Sequence, residues 1–96
     1  TRARGPQPAD GETDVSPDTT LRWYAGRKAV LHEVYLSTDR QAVVDGVALV
    51  DTVTESSYQP GSLDHGQTYY WKINEINEAE DFSIWEGDVW EFTTVE

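Results

Sequence analysis

The sequence predicts an all-β domain, a seven-stranded antiparallel Greek-key sandwich. Three observations carry this reading. Short alternating apolar segments recur at roughly 8–12-residue spacing, punctuated by Gly and Pro. No segment shows a capped helical period, so essentially no helix is expected. The stretch Leu63-Asp64-His65-Gly66-Gln67-Thr68-Tyr69-Tyr70-Trp71-Lys72-Ile73 reads as a glycine-closed turn feeding a strand, with Tyr69, Trp71 and Ile73 on one face. Tyr69 lies six residues after Leu63. At that spacing a buried ring returns its hydroxyl to the backbone of the preceding turn, the tyrosine corner of Greek-key sandwiches.

The elements follow in order. Thr1 to Gly5 carry Arg2 and Arg4 without an apolar period and read as linker, so the domain is expected to span 6–94, with 95–96 opening a second linker. Pro6 and Pro8 favour an extended edge strand, since neither offers an N–H to a ladder. Asp10-Gly11-Glu12-Thr13-Asp14 and Val15-Ser16-Pro17-Asp18 are turn chemistry. Thr19 to Trp23 is a strand with Leu21 and Trp23 on one face. After the break at Ala25-Gly26-Arg27-Lys28, Val30 to Leu36 sets Val30, His32, Val34 and Leu36 against Leu31, Glu33 and Tyr35. The β-branched segments Gln41 to Val44 and Ala48 to Thr54 are expected as strands around the Asp45-Gly46 turn. Ser57-Tyr58 pairs briefly before Pro60-Gly61. Tyr69 to Ile76 is the strongest strand; a loop from Asn77 to Glu86 crosses back, and Asp88 to Thr94 closes the domain with Trp90 and Phe92 inward.

At 96 residues the chain holds one domain with a modest core. It lacks cysteine, which excludes a disulfide framework and thiolate metal sites. No apolar run approaches the roughly 18 residues of a membrane span. No signal peptide is apparent, and a chain beginning at Thr1 without any methionine reads as a piece of a longer protein. Seven basic against eighteen acidic residues give a net charge of -11, which argues against nucleic acid or an anionic membrane as partner. The charge is uneven: residues 64–96 hold nine acids and Lys72 alone (-8), whereas 1–63 hold nine acids and six bases (-3). The general reading is a solvated surface; a cation site in the acidic half is the sharper one.

Several segments together resemble a known family. Pro8-Ala9-Asp10-Gly11 with Val15, Leu21-Arg22-Trp23, His32-Glu33-Val34-Tyr35, Leu63 through Tyr69-Tyr70-Trp71, and Val89-Trp90-Glu91-Phe92-Thr93-Thr94 look like a fibronectin type III-like module, of immunoglobulin-like architecture. The framework covers residues 6–94 and is similar to modules of large exported proteins of environmental bacteria. The resemblance implies an extracellular or cell-surface location in a multidomain bacterial protein, with carbohydrate-active catalytic domains, lectin-like jelly rolls or other sandwiches as neighbours. Glu75 departs from the pattern, which usually has a small apolar residue there.

Catalysis needs a positioned nucleophile or acid–base pair in a cleft. The histidines are His32, mid-strand, and His65, in a turn; serines are scattered without a base beside them. Glu75 and Glu78 stand three residues apart at a strand end, with nothing to set them on opposing walls as a glycosidase pair. The expectation is therefore no catalytic residue, and no cofactor. The alternating acids of 10–14 lack the glycine position and bidentate Glu of a calcium loop, so no metal site is expected.

The expected role is a non-catalytic accessory or connector module of an exported protein, monomeric as an isolated domain, contacting neighbouring domains of its own polypeptide. Two alternatives stay open. Tyr24, Tyr35, Tyr70, Phe82 and Trp85 are the aromatics not needed for the core. Tyr35, Tyr70 and Trp85 are the candidate polysaccharide-binding residues, Tyr35 and Tyr70 side by side on an exposed face with Lys72, Glu33 and Glu91, because sugar C–H faces stack on aromatic rings. The structural counterpart is a cross-strand Tyr pair that steadies the sheet without binding anything. The other alternative is protein–protein or interdomain adhesion through the charge asymmetry between the two halves, which salt screens unless the contact is dry.

Overall fold

The computed structural model describes residues 3–25, 30–77, 83–85 and 87–96, of which 77 and 83–85 are described by their backbone. In chain order the elements are β1 (Arg4–Gln7), β2 (Glu12–Val15), β3 (Leu21–Tyr24), β4 (Leu31–Ser37), α1 (Arg40–Val44), β5 (Leu49–Val53), β6 (Ser57–Tyr58), β7 (Thr68–Asn77), β8 (Ser83–Trp85) and β9 (Trp90–Thr94). They form two layers, a small sheet in the order β1-β3-β6 and a larger one in the order β2-β9-β7-β4-β5, with β8 also paired to β7. The expected all-β sandwich is there.

The alternations read from the sequence build its core. Leu21 and Trp23 of β3 face Val34, Tyr69, Trp71, Ile73, Trp90 and Phe92 of the large sheet, with Ala3 and Val15 completing the cluster. Trp71, fully buried, touches Trp23 across the layers (ring centroids 6.3 Å apart) and Trp90 within its own sheet (4.8 Å), both edge to face. The indole N–H groups of Trp23 and Trp71 have no hydrogen-bond partner among the described residues, costing roughly 1–3 kcal/mol each against the large apolar area these rings bury.

The corner forms as its spacing requires. Tyr69 Oη accepts the Asp64 N–H at 2.8 Å, and its ring stacks on Phe92 at 5.6 Å. Thr94 ties the last strand to the same turn, its hydroxyl donating to Asp64 O at 2.5 Å and accepting the Gln67 N–H at 3.0 Å.

Four expectations are corrected. The sheets are not purely antiparallel: β2 runs parallel to β9, with Glu12 opposite Phe92 and Val15 opposite Thr94. The strand count is nine among the described residues rather than seven. Residues 12–15, expected as turns, form β2, which lies in the other sheet from β1. Within the expected loop 77–86, residues 83–85 form the strand β8, and β8 and β9 both pair with the edge of β7 that β4 leaves open. Between them Gly87 crosses so close to β7 that a Cβ there would stand 2.2 Å from Ile73 O.

Residues 41–44 are helical instead of extended. Asp39 caps α1 by accepting the Gln41 N–H at 3.0 Å, Gln41 Nε2 donates to Asp45 Oδ1 at 2.9 Å, and Val43 is fully buried. A cap of about 1 kcal/mol and the burial of Val43 outweigh the modest strand preference of two adjacent valines. Finally, the domain begins before Pro6 and runs past Thr94. Ala3 lies in the core, β1 starts at Arg4, and the Val95 N–H bonds to Val15 O at 2.9 Å.

Tyr69→Phe should destabilise the domain by about 1–3 kcal/mol, since the Asp64 N–H loses its acceptor. Tyr70→Phe should cost less than about 0.5 kcal/mol. Urea unfolding of both variants checks the ranking, and the reverse order would contradict the corner.

Candidate functional site

The aromatic platform expected on the large sheet is reorganised by α1. β4 and β7 are neighbours as expected, with Tyr35 opposite Lys72 and Ser37 opposite Tyr70. Strand alternation therefore sets Tyr35 and Tyr70 on the same outer face. They are not exposed side by side, however. Tyr35 is only 7% exposed and Lys72 2%, because α1 packs over both strands there. Lys72 Nζ lies 5.0 Å from the centre of the Tyr35 ring and 3.5 Å from Val44 O, and the Tyr35 hydroxyl donates to Glu33 at 3.2 Å. Tyr70 is half-buried, opposite the exposed Glu91. The backbone of Trp85 pairs with Glu75; its side chain, and all of Phe82, lie outside the described residues. What remains of the platform among the described residues is Tyr70 beside a covered Tyr35.

Glu75 has a buried partner across the sheet. Continuing the alternation of Tyr69, Trp71 and Ile73 turns it into the core, directly opposite His32. Both are buried, and His32 Nδ1 and Glu75 Oε2 share a hydrogen bond. The Trp23 ring meets the imidazole edge to face at 5.6 Å. A carboxylate in that position departs from an apolar pattern, and the mid-strand histidine 43 residues earlier in the chain is what makes it tolerable. Removing water from either group alone costs several kcal/mol. Glu78 lies outside the described residues.

The widest aromatic exposure among the described residues is on the other sheet. Tyr24 is 63% exposed. It follows from the Leu21-Arg22-Trp23-Tyr24 alternation, which buries Leu21 and Trp23 and turns Arg22 and Tyr24 outward. Gly5, at φ +62°, lies under the ring: a Cβ there would stand 2.3 Å from Tyr24 Cδ2. Gln7 is opposite Arg22. Tyr24, Arg22 and Gln7 line a shallow groove with Glu55, Ser56 and Ser57. The alternation made Tyr24 legible as a spare aromatic. Its pairing with Gly5 comes from strand register, which the sequence leaves open.

Among the described residues no three His, Cys, Asp or Glu side chains converge as a metal site. In the 10–14 turn, Asp10 Oδ1 instead accepts the Glu91 N–H at 3.0 Å, tying the turn to β9, and Glu12 Oε1 accepts the Ala9 N–H at 2.9 Å, closing the turn locally.

The sequence matches no model of a protein family and no curated protein sequence. Among solved structures it is similar to the crystal structure of a β-1,2-glucanase from Parabacteroides distasonis, with a TM-score of 0.53 and 16% sequence identity. The match covers 99% of this chain and 13% of the glucanase chain, so this chain spans about an eighth of that protein's length. At this identity the likeness is one of fold.

Breaking the buried pair from one side, by His32→Leu or Glu75→Leu, should cost about 3–5 kcal/mol, and the double variant should recover most of that loss. A double-mutant cycle by urea unfolding checks this. Additive single losses would contradict a coupled pair.

Proposed function

We propose that this chain is a non-catalytic fibronectin type III-like module, an accessory and connector unit of a larger exported bacterial protein with carbohydrate-active domains. The observation that carries the reading is the fold match, in which nearly the whole chain corresponds to a small part of a glucanase. A unit that recurs whole inside a much longer chain is a module. The strand orders β1-β3-β6 and β2-β9-β7-β4-β5 and the Tyr69 corner support the immunoglobulin-like class.

Connection is supported by where β1 and β9 lie in the sandwich. Arg4 pairs with Tyr24 at the end of the sandwich where Trp23 meets His32. Val95 bonds to Val15 and Gly66 at the opposite end, beside the tyrosine corner. The domain is elongated, 46 × 22 × 20 Å. Neighbours joined to its two ends are held apart along its long axis, in contact with it chiefly at the poles. Such a unit folds as a monomer and acts outside the cell as part of its parent.

Two measurements test this. The isolated domain should release no reducing sugar from β-glucans, xylan, mannan or pectin; release above the buffer blank would overturn the non-catalytic reading. Fused between two globular reporter domains, it should give a dumbbell in small-angle X-ray scattering. Reporters packed side by side would contradict the connector.

A further inference from the structure

The outer face of the small sheet carries an extended groove that the connector role leaves unused. The depression formed by Tyr24, Gln7, Arg22 and Glu55 adjoins a second one formed by Pro6, Pro8, Glu12, Thr19 and Thr20, and both share Gln7 and Arg22. From Thr20 to Tyr24 the groove follows β3 for about 13 Å at ~3.3 Å per residue. That length suits a short run of sugar units rather than a single small molecule.

We propose that this groove binds an uncharged polysaccharide chain, with Tyr24 as the stacking platform. The ring lies where a side chain at residue 5 would be: a Cβ on Gly5 would stand 2.3 Å from Tyr24 Cδ2, so glycine at that position is what leaves the ring its place against β1. Its neighbour Trp23 is locked in the core, which fixes the strand that presents Tyr24. An aromatic ring seated on backbone, open on its outer side, offers a flat apolar surface to the C–H face of a pyranose.

The polar rim matches sugar hydroxyls. Arg22 and the Gln7 amide donate; the Gln7 carbonyl and Glu55 accept; Ser56 and Ser57 do either. Both signs of charge line the groove, and the chain as a whole carries -11. An anionic polymer would meet Glu12, Glu55 and that overall field. A neutral chain meets no such penalty. The proposal goes beyond the connector reading, which stands without it.

Affinity electrophoresis of the domain through β-1,2-, β-1,3- and mixed-linkage β-glucans, mannan and neutral xylan tests it, with polygalacturonate as the anionic comparison. The expected result is retardation by at least one uncharged polysaccharide. Tyr24→Ala should weaken it by about tenfold, the size of one good stacking contact, and Arg22→Gln should weaken it measurably. Val47→Ala, at an exposed site on the other sheet's side, should leave it unchanged. Urea unfolding of each variant verifies that the fold is kept. Three outcomes would overturn the proposal: no retardation by any uncharged polysaccharide, retardation by polygalacturonate alone, or retardation that survives Tyr24→Ala but is lost in Tyr70→Ala. The reducing-sugar and scattering results for the module are independent of all three.

Discussion

Trp71 is the constraint on which the rest of the structure depends. It is fully buried near the middle of the longest strand and touches Trp90 beside it and Trp23 across the layers. Aromatic residues bury about 150–250 Å² each, so this column of three supplies a large share of what a core of this size can gather. Tyr69, two residues earlier, extends the same face into the corner, and Glu75, four residues later, ends it against His32. The sandwich thus has an apolar centre, a hydrogen-bonded corner at one end and a buried polar pair towards the other. The polar pair adds no obvious stability over a hydrophobic one. It gives the β4–β7 register a specific match, because a one-residue slip would turn His32 and Glu75 to opposite faces.

The two outer faces differ for reasons of sequence. On the large sheet, α1 folds back over β4 and β7 and encloses Tyr35 and Lys72, so that face is covered at Tyr35 and leaves Tyr70 half-buried. On the small sheet Tyr24 stays largely exposed, and Gly5 beside it carries no side chain to displace the ring.

Much of this was legible in the residues. Period-two alternation placed Leu21, Trp23, Tyr69, Trp71, Ile73, Trp90 and Phe92 in the core, and the Leu63–Tyr69 spacing gave the corner, because both follow from local geometry. The helix was missed since a single turn of Arg40–Val44 has no periodicity to detect; its signal was Asp39 as a cap, which is equally a turn residue. Without that turn, strand alternation alone leaves Tyr35 and Lys72 on an open face. The His32–Glu75 pair was within reach, as the alternation that buried Ile73 also buries Glu75. The parallel β2–β9 pairing and the Gly5–Tyr24 contact were not, because both arise from where the chain crosses between sheets.

The small sheet, and the groove on it, is tied to the large sheet through Trp23 and Trp71. Native-state hydrogen exchange tests that most directly. The Trp23 and Trp71 amides should exchange through the same opening, with a free energy equal to that of global unfolding. If β1, β3 and β6 exchange through a separate, cheaper opening while β4, β7 and β9 stay protected, the tryptophan column does not unite the layers.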